Sequence, residues 1–469
     1  MTNPELSANG PEPLLPDFAP IKILQVEISQ PIPYITADRT SAGGRYRTGL
    51  ALVRLHSQPV GVIEIRFEEQ GVSPEAFAAQ IWGHLGTAIN AHLRQDGLPE
   101  VNMLEPGGLS AQSTPSCVSG REQVLQNAPF VSIVIATRNR ARMLAPTLDS
   151  LLELDYPNFE ILVLDNAPST TETAELISGK YGHADRIRYV REDRPGLGVA
   201  HNRALKEITA PIVAFTDDDV VVDTHWLTEL IRAFDAGPRV GCVTGLVLPA
   251  EVETPAQLLF EQFVGFGKGF AQRIFDLDEN RDKSGLYPYS AGWFGTGASM
   301  AFRTTVLREL GGFAPDLGTG TQALGGDDLD GFFRVIAGGY QLVYQPTSIA
   351  WHYHRRDYAA LRKQAYGYGA GLTAFLIKTI KDKPVRFFEI ALKTPLGVYY
   401  MLKARGPKII QRSPSFPNEL LAIERKGMLY GPIAYLKSYR NHRQLTKGST
   451  PHATSTLNDI KTASGKLEG

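Results

Sequence analysis

Two clusters of acidic side chains could bind a metal ion or act in acid–base catalysis. Asp217, Asp218 and Asp219 come one residue, Thr216, after an apolar run at 212–215, and Asp327 and Asp328 lie in the segment GGDDLD. Neighbouring carboxylates raise one another's pKa and destabilise a fold unless a cation neutralises them. Mg²⁺ or Mn²⁺ suits carboxylates combined with a substrate phosphate. The first cluster therefore predicts a metal site or, on the alternative interpretation, an exposed acidic turn; the second offers a general base at a helix start.

Two histidines strengthen the metal interpretation. The segment WHYHRR contains His352 and His354 beside two arginines. A lone histidine is more often structural, but imidazole suits Mn²⁺, and this pair follows both acidic clusters. Alternation along a strand would also place Asp217 and Asp219 on one side and Asp218 on the other.

The surrounding pattern indicates how these residues are positioned. Short apolar runs at 131–136, 161–164 and 212–215 alternate with helical patterns at 142–154, 171–180 and 198–208. This alternation predicts a doubly wound, mostly parallel α/β sheet covered on both faces. Ligands bind at the carboxyl ends of such strands. Since Thr137, Arg138 and Asp165 follow the first two runs, they are expected to share one site with the aspartates.

The chain divides into six predicted segments. They are a disordered tail (1–20), a small α+β accessory domain (21–101), a linker (102–128), the α/β domain (129–356), a helical segment (357–445) and a second disordered tail (446–469). In the accessory domain, strand-like runs precede a helix that begins at Ser73, a preferred N-cap residue. No catalytic residue pattern occurs in that domain, so its role stays open.

Composition excludes several classes of protein. Of 469 residues, 43% are hydrophobic and 21% charged, which excludes wholesale disorder. Cys117 and Cys242 cannot form a disulfide framework, and their spacing fits no metal knuckle. The first residues lack a signal-peptide pattern, and no apolar run reaches membrane-spanning length. We therefore expect a cytoplasmic protein.

Charge is unevenly distributed along the chain. Residues 351–469 hold 21 lysines and arginines against 7 acidic residues, whereas residues 1–350 hold 27 against 42. Between 378 and 405, basic residues are interleaved with aromatic and aliphatic ones, a pattern typical of helices at an anionic membrane surface. A helical cap on the sheet is the alternative. Without a nucleic-acid-binding module, no nucleic-acid partner is expected.

The ordered motifs resemble glycosyltransferase family 2, a family with the GT-A fold. The resemblance covers about residues 130–371. It rests on VSIVIATRNR, ILVLDNA, RPGLGVAHNRAL, VAFTDDDV, WFGTGASMAFR, GGFAPDLGTG, GGDDLDGFFR and IAWHYHRR, in the family's order. It implies a GT-A-like sheet, Mn²⁺ or Mg²⁺ as cofactor and a nucleoside-diphosphate sugar as donor, with a uridine diphosphate sugar the first expectation. A hydroxyl group of a glycan, a lipid-linked molecule or a small molecule would be the acceptor.

The resemblance also assigns roles to residues. The implied donor-binding residues are Thr137, Arg138, Asp165, Asp217 and Asp218. Metal binding would fall to Asp217, Asp219 and His352, with His354 the weaker candidate. Asp328 would be the catalytic base, and Asp327, Trp293 and Gly295 would bind the acceptor. The family commonly has Glu where Asp327 stands, so the side chain here is one methylene shorter.

One base and direct displacement imply inversion at the anomeric carbon. The Gln-x-x-Arg-Trp segment of the family's processive synthases is missing, which favours transfer of one or a few sugars. Two alternatives remain. The first is a nucleotidyltransferase, which would need a Gly-rich phosphate loop that TRNRAR lacks. The second is a non-catalytic nucleotide- or glycan-binding protein, in which the acidic residues would have no catalytic role.

Overall fold

The computed structural model describes residues 15, 18–68, 71–403 and 408–448. Its strands are β1 (Ile21–Glu27), β2 (Thr48–Leu55), β3 (Gln58–Arg66), β4 (Val131–Thr137), β5 (Phe159–Asn166), β6 (Ile187–Glu192), β7 (Ile212–Asp217), β8 (Val220–Val222), β9 (Val240–Pro249), β10 (Arg273–Phe275), β11 (Ser299–Arg303) and β12 (Gln341–His352). Its helices are α1 (Pro74–Gln95), α2 (Ser116–Gln126), α3 (Ala141–Leu152), α4 (Glu172–Gly179), α5 (Leu197–Glu207), α6 (Trp226–Arg232), α7 (Pro255–Phe263), α8 (Thr304–Glu309), α9 (Asp327–Ala337), α10 (Tyr358–Asp382), α11 (Arg386–Lys403) and α12 (Asn418–Gly448).

A three-stranded sheet and α1 form the N-terminal part of the fold. β1 pairs in parallel with β2, and β2 pairs antiparallel with β3. Helix α1 begins after Ser73, whose hydroxyl accepts a hydrogen bond from the amide of Ala76 at 3.3 Å. Its residues Phe77, Ile81 and Ile89 are fully buried against the sheet. The helical spacing of these residues thus produces the core that it predicts.

The β2–β3 turn differs from its prediction. The sequence indicates a break at 57–59, but Pro59 lies in β3, and the turn residues are His56 and Ser57. Both have positive φ angles, 54° and 67°. The Glu27 carboxylate stabilises the turn by accepting hydrogen bonds from the amides of His56 (3.0 Å) and Ser57 (2.8 Å). Local composition gave no sign of this distant carboxylate.

A nine-stranded, mostly parallel sheet forms the centre of the chain. Its order is β10-β12-β9-β11-β7-β4-β5-β6, with β8 paired to β12. Strands β7, β4, β5 and β6 are parallel, and β11 runs antiparallel to both of its neighbours. Alternate residues of each strand enter cores on opposite faces; in β7, Val213 and Phe215 face one core, and Ile212 and Ala214 the other. This is the doubly wound sheet that the alternating pattern predicts.

Three helices follow the sheet in the C-terminal part. α10 is continuous where the sequence suggests two shorter helices at 361–367 and 372–380, because Gly367, Gly369 and Gly371 are all accommodated in it. α12 packs along α10. No helix in the described ranges has both the length and the apolar character required of a membrane span.

The predicted linker (102–128) contains a helix. α2 occupies its second half, and Cys117 and Arg121 of that helix are buried. A polar, Gly- and Ser-containing composition suggested a linker, but here the polar groups are satisfied by contacts with other elements. The predicted tails lie almost wholly outside the described residues, apart from 15, 18–20 and the end of α12. The domain boundaries as a set stay a prediction.

Candidate active site

The carboxyl ends of three parallel strands bring the predicted donor residues to one edge of the sheet. In the register of the sheet, Thr137 at the end of β4 lies opposite Asp165 of β5, and Ala136 lies opposite Asp217 of β7. Parallel pairing places these ends together, because every strand then points its carboxyl end the same way. Arg138 follows β4 directly, and its side chain is exposed at this edge.

Asp217, Asp219 and His352 form a compact set of potential metal ligands. One ligand atom from each lies within 4.8 Å of the other two. His352 ends β12, and its Nε2 is 3.2 Å from Oδ1 of Asp219. A hydrogen bond of 2.9 Å from the Tyr353 amide to the Asp219 carbonyl holds the two segments together. Two carboxylates and one imidazole are a donor set that fits Mn²⁺ or Mg²⁺.

Asp218 points away from this set and is held by β4 and its loop. Its Oδ2 accepts a 2.6 Å hydrogen bond from the Thr137 hydroxyl, and its Oδ1 pairs with Nη1 of Arg140. Arg140 also donates from Nη2 to Oδ2 of Asp219 at 2.7 Å. The buried Thr137 hydroxyl is thus engaged with Asp218, and Arg140 bridges two of the three aspartates.

Arg140 is a site residue that the sequence analysis did not single out. Its signal is present in TRNR, where it stands three residues after Thr137 and two after Arg138, the arginine to which the resemblance assigns donor binding. Asn139 between them has a positive φ of 53°, so the backbone turns sharply between the two arginines. This turn leaves Arg138 exposed and directs Arg140 to the carboxylates.

Burial and charge set the pKa values of these acids. Burial, followed by the charge of Asp219, raises the pKa of Asp217 to about 7. For Asp219, burial acts in the same upward direction, but His352 and Arg140 outweigh it and lower the pKa. Burial would lower the pKa of His352, yet Asp219 and Asp217 raise it above the usual value. Asp219 is therefore ionised and charge-paired, whereas Asp217 titrates near neutrality without a cation.

His354 lies one layer behind the ligand set. Its Nδ1 is 3.0 Å from Nδ1 of His352, and its Nε2 is 2.7 Å from Oε1 of Glu261 on α7. All three side chains are buried. His354, the weaker metal candidate, is thus placed to hydrogen-bond to His352 and not to join the ligand set. Hydrogen bonds of this kind fix the ring orientation of an imidazole that binds a metal.

The second acidic cluster lies inside the first turn of α9, at the helix start. Gly326 caps the helix with a φ of 87°, so helical geometry already begins at Asp327. Asp328 accepts hydrogen bonds from the amides of Leu329 (2.8 Å) and Gly297 (3.3 Å). Burial raises the pKa of Asp328, and burial together with Asp328 raises that of Asp327 to about 8.

Electrostatic coupling connects the two acidic clusters. The charges of Asp219 and Asp328 both raise the pKa of Asp217, and Asp217 in turn raises that of Asp327. Lys268, which the sequence analysis missed, interacts with Asp328, and burial lowers its own pKa to about 8. Asp217, which lies beside Asp219 and His352, is thus near enough to Asp328 for their charges to interact, although the two acids lie far apart in the chain.

Asp165 is a buried carboxyl group with half of its hydrogen-bonding capacity free. Its Oδ2 accepts a 2.9 Å hydrogen bond from the Tyr189 hydroxyl. Its Oδ1 is buried, and no described residue donates to it. Burial raises the pKa of this carboxyl group. An unpartnered carboxyl oxygen at the sheet edge is placed to accept a hydrogen bond from a ligand.

Trp293 and Gly295 lie in the loop before β11. Trp293 is 39% exposed. Gly295 is buried with a φ of 146°, and a Cβ on it would lie 2.4 Å from Cβ of Thr244 in β9. Gly295 therefore permits the loop to pack on β9, which positions the Gly297 amide that donates to Asp328. Its predicted contact with an acceptor stays a prediction.

Residues 132–310 match the family model for glycosyl transferase family 2. Pre-mycofactocin glycosyltransferase of Mycobacterium tuberculosis is 27% identical over 241 residues, which are 50% of this chain and 46% of that protein. Poly-beta-1,6-N-acetyl-D-glucosamine synthase of Staphylococcus epidermidis is 24% identical over 272 residues, 56% of this chain and 60% of that protein. The chain thus spans about half the length of these curated relatives.

Among solved structures, a mannosyltransferase from Pyrobaculum calidifontis in complex with GDP-Man and Mn²⁺ matches with a TM-score of 0.40 and 20% identity. That match covers 72% of this chain and 79% of the other. The chain is thus similar to glycosyl transferase family 2 over residues 132–310, which include Asp217, Asp218 and Asp219 and end before Asp328 and His352.

Proposed function

We propose that this chain transfers a sugar from a nucleoside-diphosphate donor to a hydroxyl acceptor, with inversion and without processive polymer synthesis. The observation that carries the proposal is the set Asp217, Asp219 and His352, within 4.8 Å of one another and electrostatically coupled to Asp328. It combines a cation site with a separate carboxylate. Sugar transfer to a hydroxyl needs both of these.

Asp217, Asp219 and His352 would hold a divalent cation, with Mn²⁺ favoured over Mg²⁺ by the imidazole. Such a cation supplies electrostatic stabilisation of a diphosphate leaving group. Arg140 holds Asp218 through Nη1 and Asp219 through Nη2 of its guanidinium group. The free Oδ1 of Asp165 supports a role in binding the donor's base, for which a uridine diphosphate sugar is the first candidate.

Asp328 is the proposed general base. Two backbone amides fix its carboxylate, and burial raises its pKa, which strengthens it as a proton acceptor. It would take the proton from the acceptor hydroxyl as the bond to the anomeric carbon forms. A single base acting in a direct displacement produces inversion. Asp327, which precedes it in α9, and the partly exposed Trp293, in the loop that leads to Gly297, are proposed to bind the acceptor, a glycan or lipid-linked molecule.

The test is release of nucleoside diphosphate from a panel of nucleotide sugars with Mn²⁺ and a panel of acceptors. We expect Asp328→Asn to lower kcat by about 10²–10⁴-fold, the usual contribution of a positioned base. Donor affinity should be retained, as measured by a donor-induced rise in melting temperature. Asp219→Asn should abolish Mn²⁺-dependent turnover.

Asp193→Asn is the matched control, since this carboxylate is 76% exposed in the same domain and should leave kcat unchanged. Near-normal kcat in folded Asp328→Asn would refute the assignment of the base. Release of pyrophosphate from a nucleoside triphosphate would identify a nucleotidyltransferase, and binding without release would identify a non-catalytic protein.

We further propose that α11 contacts an anionic membrane surface. One face packs on the protein: Glu389 accepts a 2.7 Å hydrogen bond from Tyr289, and Lys393 donates to the Gly285 carbonyl at 2.6 Å. The adjacent face exposes Phe388 (69%) and Leu392 (82%), one helical turn apart. The helix thus combines packing on the protein with an apolar surface flanked by basic residues, which suits an interfacial position beside a lipid-linked acceptor.

Co-sedimentation with phosphatidylserine vesicles tests this surface. The double change Phe388→Ser/Leu392→Ser should weaken binding by about tenfold or more, since burial of one such side chain contributes about 1.5–3 kcal/mol. Leu429→Ser on α12 is the control, because Leu429 is equally exposed at 81%. Binding should also fall at high salt. Failure of the unmodified protein to bind at low salt would refute the proposal.

A further inference from the structure

A second cluster of metal-binding side chains lies in the N-terminal part, apart from the proposed active site. His56, His92, Asp96 and Cys117 each offer one ligand atom, and these atoms all lie within 4.8 Å of one another. The four residues are between 5% and 9% exposed. They come from the β2–β3 turn, the last turn and C-cap of α1, and the first turn of α2.

The side chains converge on one oxygen, Oδ2 of Asp96. Nδ1 of His56 lies 2.7 Å from it, and Sγ of Cys117 and Nε2 of His92 each lie 3.0 Å from it. His92 is nevertheless not aligned for a hydrogen bond there, and neither its Nε2 nor that of His56 has a hydrogen-bond partner among the described residues. His92 thus turns a nitrogen without a well-aligned hydrogen bond toward the shared carboxylate, and His56 contacts the same oxygen through Nδ1 while its buried Nε2 has no partner; buried polar atoms left without partners cost stability.

The donor set matches the chemistry of one cation. Two imidazole nitrogens, one carboxylate oxygen and one sulfur are the ligand types of tetrahedral zinc sites. A thiolate and a carboxylate carry two negative charges, which Zn²⁺ neutralises. Bond lengths of about 2.0–2.3 Å give ligand–ligand separations of about 3.3–3.8 Å in a tetrahedron, so the present 2.7–3.0 Å contacts need only a small expansion.

The surroundings hold the ligands in position. The Cys117 amide donates to Oδ1 of Asp96 at 2.9 Å, which leaves Oδ2 facing the cluster. Glu27 binds the amide of His56 at 3.0 Å and so fixes its strained turn. Arg121 of α2 donates to the His56 carbonyl at 2.9 Å and reaches Glu229 of α6 at 3.4 Å. Outer contacts of this kind orient metal ligands.

We propose that His56, His92, Asp96 and Cys117 form a structural zinc site. Four protein ligands and near-complete burial leave no open position for substrate or water, as in closed structural sites. The site ties the β2–β3 turn to α1 and α2. Through Arg121 it also ties the N-terminal part to α6 beside the central sheet. The proposal does not depend on the proposed transferase activity.

Metal analysis of the full chain in the Asp219→Asn background tests the site, because that change removes the active-site cation. We expect one equivalent of Zn²⁺ retained after gel filtration. Replacement by Co²⁺ should give a thiolate-to-cobalt charge-transfer band in the near ultraviolet. Absence of bound Zn²⁺ after incubation with excess Zn²⁺ would overturn the proposal. The four side chains would then form a hydrogen-bonded cluster without a metal.

Cys117→Ser in the same background should lose both the zinc equivalent and the cobalt band. The matched control is Cys242→Ala, which removes the other buried cysteine, in the central core, and should keep both. His92→Gln provides a second variant that keeps the thiol; it should bind Zn²⁺ more weakly and shift the cobalt band. A band that persists in Cys117→Ser would overturn the proposal.

Discussion

At the scale of single residues, the site depends on how buried carboxylates are neutralised. Asp217, Asp218 and Asp219 lie at the end of one strand; without a cation, Arg140 and His352 offset their charge, and the Thr137 hydroxyl donates a hydrogen bond to Asp218. Arg140 is therefore both a support for the aspartates and a competitor of a cation for Asp219. This dual position makes it a sensitive probe of metal binding.

We predict that Arg140→Met lowers the stability of the metal-free protein by about 1–3 kcal/mol, because two buried acids lose a hydrogen-bonded cation. The rise in melting temperature on adding Mn²⁺ should be larger in the variant than in the unmodified protein, since the site then carries more negative charge. Thermal unfolding with EDTA and with Mn²⁺ measures both effects. Arg188→Met is the control, since Arg188 is 42% exposed and pairs elsewhere with Glu160. Equal Mn²⁺ effects in all three proteins would show that Arg140 is not coupled to a cation.

At the scale of elements, close helix packing supports the region behind α9. α10 and α12 approach each other at glycines: a Cβ on Gly427 would lie 2.1 Å from the Tyr366 carbonyl oxygen, and one on Gly431 would lie 1.9 Å from the Thr373 hydroxyl. A Cβ on Gly326 would likewise lie 2.4 Å from the Gly371 carbonyl oxygen, so α10 abuts the cap of α9. The packed pair α10 and α12 thus supports α9, the helix that carries Asp328.

We predict that Gly427→Ala destabilises the protein by about 1–3 kcal/mol, because the methyl group must displace the backbone of α10. Gly83→Ala on α1 is the matched helical control. A Cβ there meets nothing within 4 Å, so the change should stabilise by about 0.5–1 kcal/mol. Thermal or denaturant unfolding checks both values. A neutral Gly427→Ala would mean that α12 can move away from α10 without loss.

At the scale of the whole molecule, buried ion pairs join the N-terminal part to the central sheet. Arg54 of β2 contacts Asp223 beside α6 at 2.6 Å, with the two side chains only 12% and 8% exposed. Leu52 of β2 packs against Leu248 of β9 and Trp351 of β12 in a shared apolar cluster. Trp351 precedes His352, so this interface borders the strand end that supplies a proposed metal ligand.

We predict that Arg54→Met costs about 3–5 kcal/mol, because Asp223 is left buried without its charge partner. Arg94→Met is the control. It breaks a 2.5 Å pair with Glu100 whose side chains are 56% and 49% exposed, and it should cost less than about 1 kcal/mol. Melting temperatures of the three proteins measure the difference. Similar values for both variants would show that the interface contributes little to stability.

The sequence by itself determined the doubly wound sheet and the residues of its carboxyl edge. Apolar runs of strand length alternate with helical patterns, and Thr137, Asp165 and Asp217 come within two residues of the ends of those runs; such signals depend only on neighbouring residues. The helix in 102–128 was missed because its partners lie far away in the chain. The roles predicted for the site residues stay predictions.

Only the tertiary structure decided which side chains meet across long sequence separations. The pairing of Arg140 with Asp218 and Asp219 depends on the turn at Asn139, and the cluster of His56, His92, Asp96 and Cys117 depends on how three elements pack. No spacing rule encodes such a cluster, because its ligands are brought together by burial of the apolar faces of their elements and not by a continuous segment.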